Sequence, residues 1–207
     1  MIKTVVFDLG GVLVDWSPRY VYSREHDSYR LDRFLAEVAT GEWNSQMDAG
    51  ELFQTAIDQR AKEFPEWREW LQKWRDEWPT MLRGPIDGTV SLFEQVVEQR
   101  RRGHLSGVYA LSNWEANTFK IARARFPFLE LFDGRLISGE ERLIKPDPRF
   151  FHLLQSRFSL KPSETLFIDD VAKNIDAAEA IGLQTHHFTS PDALQAVLLK
   201  RGVIQSI

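Results

Sequence analysis

Several apolar runs in this sequence end in groups able to do chemistry. Asp8 follows Val5-Val6-Phe7, Ser112 and Asn113 follow Gly107 to Leu111, and the pair Asp169-Asp170 follows Thr165 to Ile168. Lys145 comes after a fourth run, Gly134 to Ile137. The set contains a carboxylate nucleophile, hydroxyl and amide donors, one cation and two further carboxylates. Three carboxylates gathered on one rim repel one another unless a cation lies between them, and hard oxygen ligands favour Mg2+. With Mg2+ on one side and Lys145 on the other, the rim complements a phosphoryl group whose charge is spread over its equatorial oxygens. Ser112 and the amide of Asn113 would hold one such oxygen while Asp8 attacks phosphorus in line, forming an aspartyl-phosphate that water later cleaves. Each residue alone has an ordinary reading, Asp8 as a turn starter whose side chain bonds the amides that follow. The combination carries more than its members.

The elements needed to gather these groups are written in the same pattern. Val5-Val6-Phe7 reads as a central strand of a parallel sheet, with Gly107 to Leu111, Gly134 to Ile137, Thr165 to Ile168 and Gln184 to Phe188 as its neighbours. Helices are expected around Val90 to Gln99, from Ser112-Asn113 through Ala122, around Phe150 to Leu154 and through Ile175, Ala178 and Ile181 to a stop at Gly182. Parallel strands joined by helical crossovers place all their carboxyl ends on one rim, where open α/β sheets bind ligands. From Trp16 to about Gly84 the texture is helical, with apolar faces at Leu31, Phe34, Leu35 and Val38 and at Leu52, Phe53, Ala56 and Ile57. Trp67, Trp70, Leu71, Trp74 and Trp78 follow three or four residues apart, a stripe that reads as core packing or, in part, as the roof of a pocket. The expected fold is a doubly wound, Rossmann-like α/β core, residues 1–15 and 85–207, with an inserted α-helical cap domain, residues 16–84.

Composition narrows the function classes. The chain has 207 residues, 43% hydrophobic, with 26 basic against 30 acidic side chains and no cysteine. No dense basic run coincides with a nucleic-acid motif, and no apolar stretch approaches the roughly 18 residues of a membrane span, so neither nucleic acid nor membrane is an expected partner. Met1 leads directly into the first strand, which is read as a cytoplasmic protein. The sequence leaves oligomeric state open. The histidines, His26, His104, His152, His186 and His187, show no ligand spacing with acids, and His186-His187 read as part of the last strand, one face in and one out.

DLGGVL from Asp8, LSN ending at Asn113, KP at Lys145 and IDDVAKNIDAAEAIGL from Ile168 resemble, in order and spacing, the four motifs of the haloacid dehalogenase-like hydrolase superfamily. The insert resembles that superfamily's small helical cap. The DLG start and the GEW…DAGEL stretch, Gly41 to Leu52, resemble the sugar-phosphate phosphatase branch that includes bacterial glucose-1-phosphate phosphatases. The resemblance implies that Asp8 is nucleophile and Mg2+ ligand, that the Gly10 carbonyl also meets the metal, and that Ser112 and Lys145 bind phosphoryl oxygens. It implies that Asp169 and Asp170 complete the metal site, Asp170 as the first choice for direct ligand, with Asn174 bracing the loop. The expected partner is a small phosphorylated metabolite.

One departure from the family pattern concerns Gly10. Most phosphatases of the superfamily carry there a second Asp that protonates the leaving oxygen, help typically worth about 10²- to 10⁴-fold. Either the leaving group departs without a proton, as from an anomeric sugar phosphate, or another acid such as Asp15 replaces it. Two other readings stand beside the phosphatase: a metal-independent 2-haloacid dehalogenase, opposed by the acid pair, and a catalytically impaired module that binds a phosphometabolite. Carbon–phosphorus cleavage would need a cap lysine, and only Lys62 and Lys73 lie in the insert.

Overall fold

The structure is a computed structural model that describes residues 1–22 and 28–205. His26 lies outside the described residues. Five parallel strands form the main sheet: β1 (Thr4–Phe7), β4 (Gly107–Ser112), β5 (Gly134–Ile137), β6 (Thr165–Asp169) and β7 (Gln184–His187), in the order β5-β4-β1-β6-β7. A short antiparallel ribbon pairs β2 (Val14–Trp16) with β3 (Leu82–Pro85). Between β2 and β3 lie α1 (Arg19–Tyr22), α2 (Ser28–Arg33), α3 (Gly41–Asp48), α4 (Phe53–Glu63) and α5 (Arg68–Asp76), with a π-helical turn at Phe34–Val38 and 3₁₀ turns at Pro65–Trp67 and Trp78–Met81. The crossovers of the core are α6 (Asp87–Arg101), α7 (Ala116–Arg125), α8 (Ser138–Glu141), α9 (Pro148–Phe158) and α10 (Ala172–Ala180), and α11 (Pro191–Lys200) follows the last strand.

β1 is central because it can be dry on both faces. Val5, Val6 and Phe7 are fully buried, Val5 and Phe7 on one side of the sheet and Val6 on the other, as the two-residue period of a strand requires. Val6 joins Leu111, Phe167, Phe150, Phe151 and Ala178 beneath α9 and α10. Val5 and Phe7 face a second apolar cluster that contains Phe93 of α6, Phe119 of α7 and Leu194 of α11 and continues without interruption into the tryptophans of the insert. Phe7 meets Phe93 edge to face at 5.5 Å, a favoured ring geometry. In register, Phe7 lies opposite Ala110 on one neighbour and Ile168 on the other, and the Asp8 amide donates to the Ile168 carbonyl at 2.8 Å. The residue after Phe7 therefore emerges beside Leu111 and Asp169.

The tryptophan stripe divides by role. Trp67, Trp70 and Trp74 are buried and pack with Tyr22, Phe34 and Trp43 in the insert's own core, Tyr22 stacked on Trp70 at 5.1 Å. Trp78 also borders the cavity described below.

Two elements depart from the sequence expectation. The ends of the insert are strand rather than helix, since Val14, Asp15 and Trp16 pair with Pro85, Gly84 and Leu82. Such a ribbon has no periodicity of its own, and long-range hydrogen bonds alone create it. Helix α11 is an addition beyond the last expected strand; Ser190 caps it, accepting from the Ala193 amide at 3.2 Å, Pro191 opens it, and Leu194 and Leu198 bury its inner face.

Candidate active site

The structure brings Asp8, Ser112, Asn113, Lys145, Asp169 and Asp170 to one end of the sheet. Asp8 sits one residue beyond β1, accepting at Oδ1 from the Leu9 amide at 2.7 Å and from the Ser112 hydroxyl at 2.8 Å. The turn reading of Asp8 is thus realised on the same oxygen that the Ser112 hydroxyl holds. Oδ2 meets the Lys145 ammonium at 2.9 Å. Lys145 is 2% exposed, and its Nζ also donates to Asp169 Oδ2 at 2.7 Å and the Leu111 carbonyl at 2.9 Å. Three acceptors therefore match the three protons of the ammonium.

Asp169, fully buried, is held from several sides. It accepts from Lys145, from the Val171 amide at 2.8 Å and from Asn174 Nδ2 at 3.0 and 3.2 Å. Asp170 is exposed, and its carboxylate rests against Gly11, where a Cβ would come within 2.3 Å of Oδ2. Gly11 also has φ +74°, a conformation glycine adopts without penalty. One carboxylate oxygen from each of Asp8, Asp169 and Asp170 falls within a sphere of mutual separations under 4.8 Å. The Asn113 side chain does not face this cluster. Its Oδ1 accepts from the Lys145 amide at 2.8 Å and its Nδ2 donates to the Lys145 carbonyl at 3.0 Å, tying the lysine loop to the end of β4.

Charge is unbalanced here. Burial pushes the Asp8 carboxyl up to about 7, with Lys145 pulling against it and Asp169 and Asp170 reinforcing it. Burial alone would lower Lys145, but Asp8 and Asp169 hold its ammonium above the usual range. Burial and then Asp169 raise Asp170. Three carboxylates face one ammonium, so a divalent cation among the oxygens offsets the excess. The donor set fits a hard cation, and Asp170, with fewest internal partners, is free to turn toward it. Gly11→Ala is expected to displace Asp170 and raise the Mg2+ concentration needed for half-maximal activity about 10- to 100-fold; an unchanged Mg2+ titration would show that Asp170 is not held by this cradle.

The site opens into a cavity of about 390 Å3, bordered by Asp8, Gly10, Ser112, Lys145 and Asp170 from the core and by Asn44, Asp48 and Trp78 from the insert. Trp16 and Trp114 add aromatic walls. Asp15, the acid considered from the sequence, does not border it: both its oxygens accept from the Tyr20 hydroxyl, at 2.8 and 2.9 Å, on the β2–β3 ribbon. Sequence reasoning passes over Asn44 and Asp48 and reads His187 only as part of the last strand. The first two sit four residues apart on one face of α3, a spacing readable only once the helix is known to face the cavity. His187 Nε2 donates to the Asp170 carbonyl at 3.0 Å, a brace created by the pairing of β6 with β7.

The family model for haloacid dehalogenase-like hydrolases matches residues 2–182, nearly the whole sheet and the insert. The chain belongs to that family. A sesquiterpene phosphatase of Aspergillus oryzae is 26% identical to this hydrolase over 188 residues, 90% of each chain. A D-ribitol-5-phosphate phosphatase of Bacteroides thetaiotaomicron is 27% identical over 203 residues, covering 89% of this chain and 91% of that one. The fold is shared with a haloacid dehalogenase family enzyme from Bacteroides thetaiotaomicron crystallised with magnesium and inorganic phosphate, at a TM-score of 0.67 and 21% identity over 92% of this chain and 96% of that chain. Among the described residues, no helix is long and apolar enough to cross a membrane.

Proposed function

We propose that this hydrolase is a Mg2+-dependent phosphatase of small phosphorylated metabolites, sugar phosphates foremost, working through an aspartyl-phosphate on Asp8. The observation that carries the reading is the Asp8 carboxylate, oriented by Ser112 and Lys145 at the mouth of a cavity, with Asp169 and Asp170 beside it. The magnesium and phosphate bound by the structural neighbour, and the activities named for the two relatives, support it. Residues 16–84 act as the cap and residues 1–15 and 85–207 as the catalytic core, a division supported by the ribbon that ties the two ends of the insert together.

Asp8, the Gly10 carbonyl and Asp170 would hold Mg2+, with Asp169 behind them gripping Lys145. When bound, the ion supplies charge neutralisation for the phosphoryl group. The Ser112 hydroxyl holds one Asp8 oxygen and would turn its single proton to a phosphoryl oxygen when substrate binds, while Lys145 holds the other Asp8 oxygen in place. The insert's aromatic wall limits water at the reacting centre and shapes the space for the leaving group.

A panel of small phosphate esters, anomeric sugar phosphates included, assayed with and without Mg2+, tests the reading. Mg2+-dependent phosphate release is expected from at least one member. No release from any would overturn it, and metal-independent chloride release from a 2-haloacid would replace it with dehalogenation.

A further inference from the structure

An alkyl phosphate releases a strongly basic alkoxide, so its cleavage needs a proton at the leaving oxygen, on the side of the site away from the nucleophile. Among the described residues, the ionisable side chains bordering the cavity are Asp8, Asp48, Lys145 and Asp170. Asp8 is the attacking group in the proposed mechanism. Lys145 spends its protons on Asp8, Asp169 and the Leu111 carbonyl, and Asp170 lies with the metal-binding oxygens against Gly11. Asp48 stands outside the Asp8–Lys145–Asp169 cluster, and it reaches the cavity from the insert.

Its place is held from both sides. The Ser138 hydroxyl, at the end of β5, donates to the Asp48 carbonyl at 2.6 Å and accepts from the Trp114 amide at 2.9 Å, fixing the end of α3 to the core. Asn44 Nδ2 donates to the Asp48 carboxylate at 2.9 Å. We infer that Asp48 is the general acid and base of this phosphatase, donating its proton to the leaving oxygen and later taking one from water. The inference rests on the phosphatase reading.

In the first step the Asp8 oxygen–phosphorus bond forms, the phosphorus–oxygen bond to the leaving group breaks, and the Asp48 proton moves to the departing oxygen, giving a neutral alcohol. In the second, water attacks phosphorus as Asp48 takes its proton, the Asp8 oxygen–phosphorus bond breaks, and phosphate leaves with Asp48 again protonated. The surroundings suit the role. Burial, and then the neighbouring Glu115 carboxylate, push the Asp48 carboxyl up to about 7, opposed by the Glu115 amide, Asn44 and the more distant Lys145. A carboxyl near that value both gives and takes protons at neutral pH.

The test compares p-nitrophenyl phosphate, whose phenolate leaves without a proton, with glycerol 1-phosphate, whose alkoxide does not. In Asp48→Asn, kcat/KM for glycerol 1-phosphate is expected to fall about 10²- to 10⁴-fold, and that for p-nitrophenyl phosphate less than about 10-fold. Wild-type kcat/KM for the alkyl ester should decline as pH rises through about 7, because the protonated form is required, and the variant should lose that decline. Equal losses on both esters, or none, would overturn the assignment; Asp48→Ser is read in the same way if the Asn variant does not fold. Silence of the wild type toward both esters and the wider panel would instead sink the phosphatase reading itself.

Discussion

Replacing Asp8 by asparagine is expected to slow phosphate release by about 10⁴-fold or more without unfolding the protein, because the amide keeps the shape of the carboxylate and loses the negative charge that makes its oxygen nucleophilic. Stability should move in the opposite direction. The Asp8 carboxyl is pushed up to about 7 in the fold, above its ordinary value of 3.8, so ionising it opposes folding. A carboxyl raised in this way contributes stability that is present at low pH and is lost as pH rises from about 4 to about 7. In chelator at pH 8, the Asp8→Asn variant should therefore melt no lower than the wild type. Activity within about 100-fold of wild type would mean that another group attacks phosphorus.

Lys145→Met is expected to damage both activity and stability. The substitution leaves Asp8 and fully buried Asp169 facing each other without their shared cation and strips a donor from the Leu111 carbonyl. Removing one partner from a buried ionic cluster costs about 3–5 kcal/mol, against which methionine recovers only part of the packing. For a chain of this size that lowers Tm by roughly 6–20 °C. The loss should be greatest near pH 8 and smallest near pH 5, since the Asp8 carboxyl holds its proton more readily in the folded state than in the unfolded one, and Mg2+ should recover part of it. Phosphate release should fall by about 10²-fold or more. A variant as stable as wild type at pH 8 would show that the excess negative charge is relieved by something other than Lys145.

These two expectations differ in kind because Asp8 is the charge in excess and Lys145 is the charge that balances it. The distinction is invisible in the sequence, where both are simply polar residues near the ends of apolar runs. The runs themselves are legible: a parallel strand buried on both faces must be continuously apolar, so β1, β4 and β6 stand out and the residue that breaks each is conspicuous. The β2–β3 ribbon is not legible, because three residues beside Gly84 and Pro85 have no period to detect and are strands only by virtue of each other. The tryptophan stripe is legible as helix, but that Trp78 reaches the cavity while Trp74 stays inside depends on how the insert lies on the sheet.

The sequence by itself determined which chemical groups are available and that they gather on one rim, since strand alternation and parallel crossovers admit few other arrangements. It also determined that position 10 bears no side chain. The tertiary structure decided how the carboxylates are divided: Asp169 is gripped by Lys145, Val171 and Asn174, Asp170 is left open over Gly11, and Asp15 is taken by Tyr20. It alone brought Asp48 and Asp8 to the border of one cavity. The physical reason is that a carboxylate's role follows from its partners and its burial, and those come from segments far apart in the chain that only packing brings together.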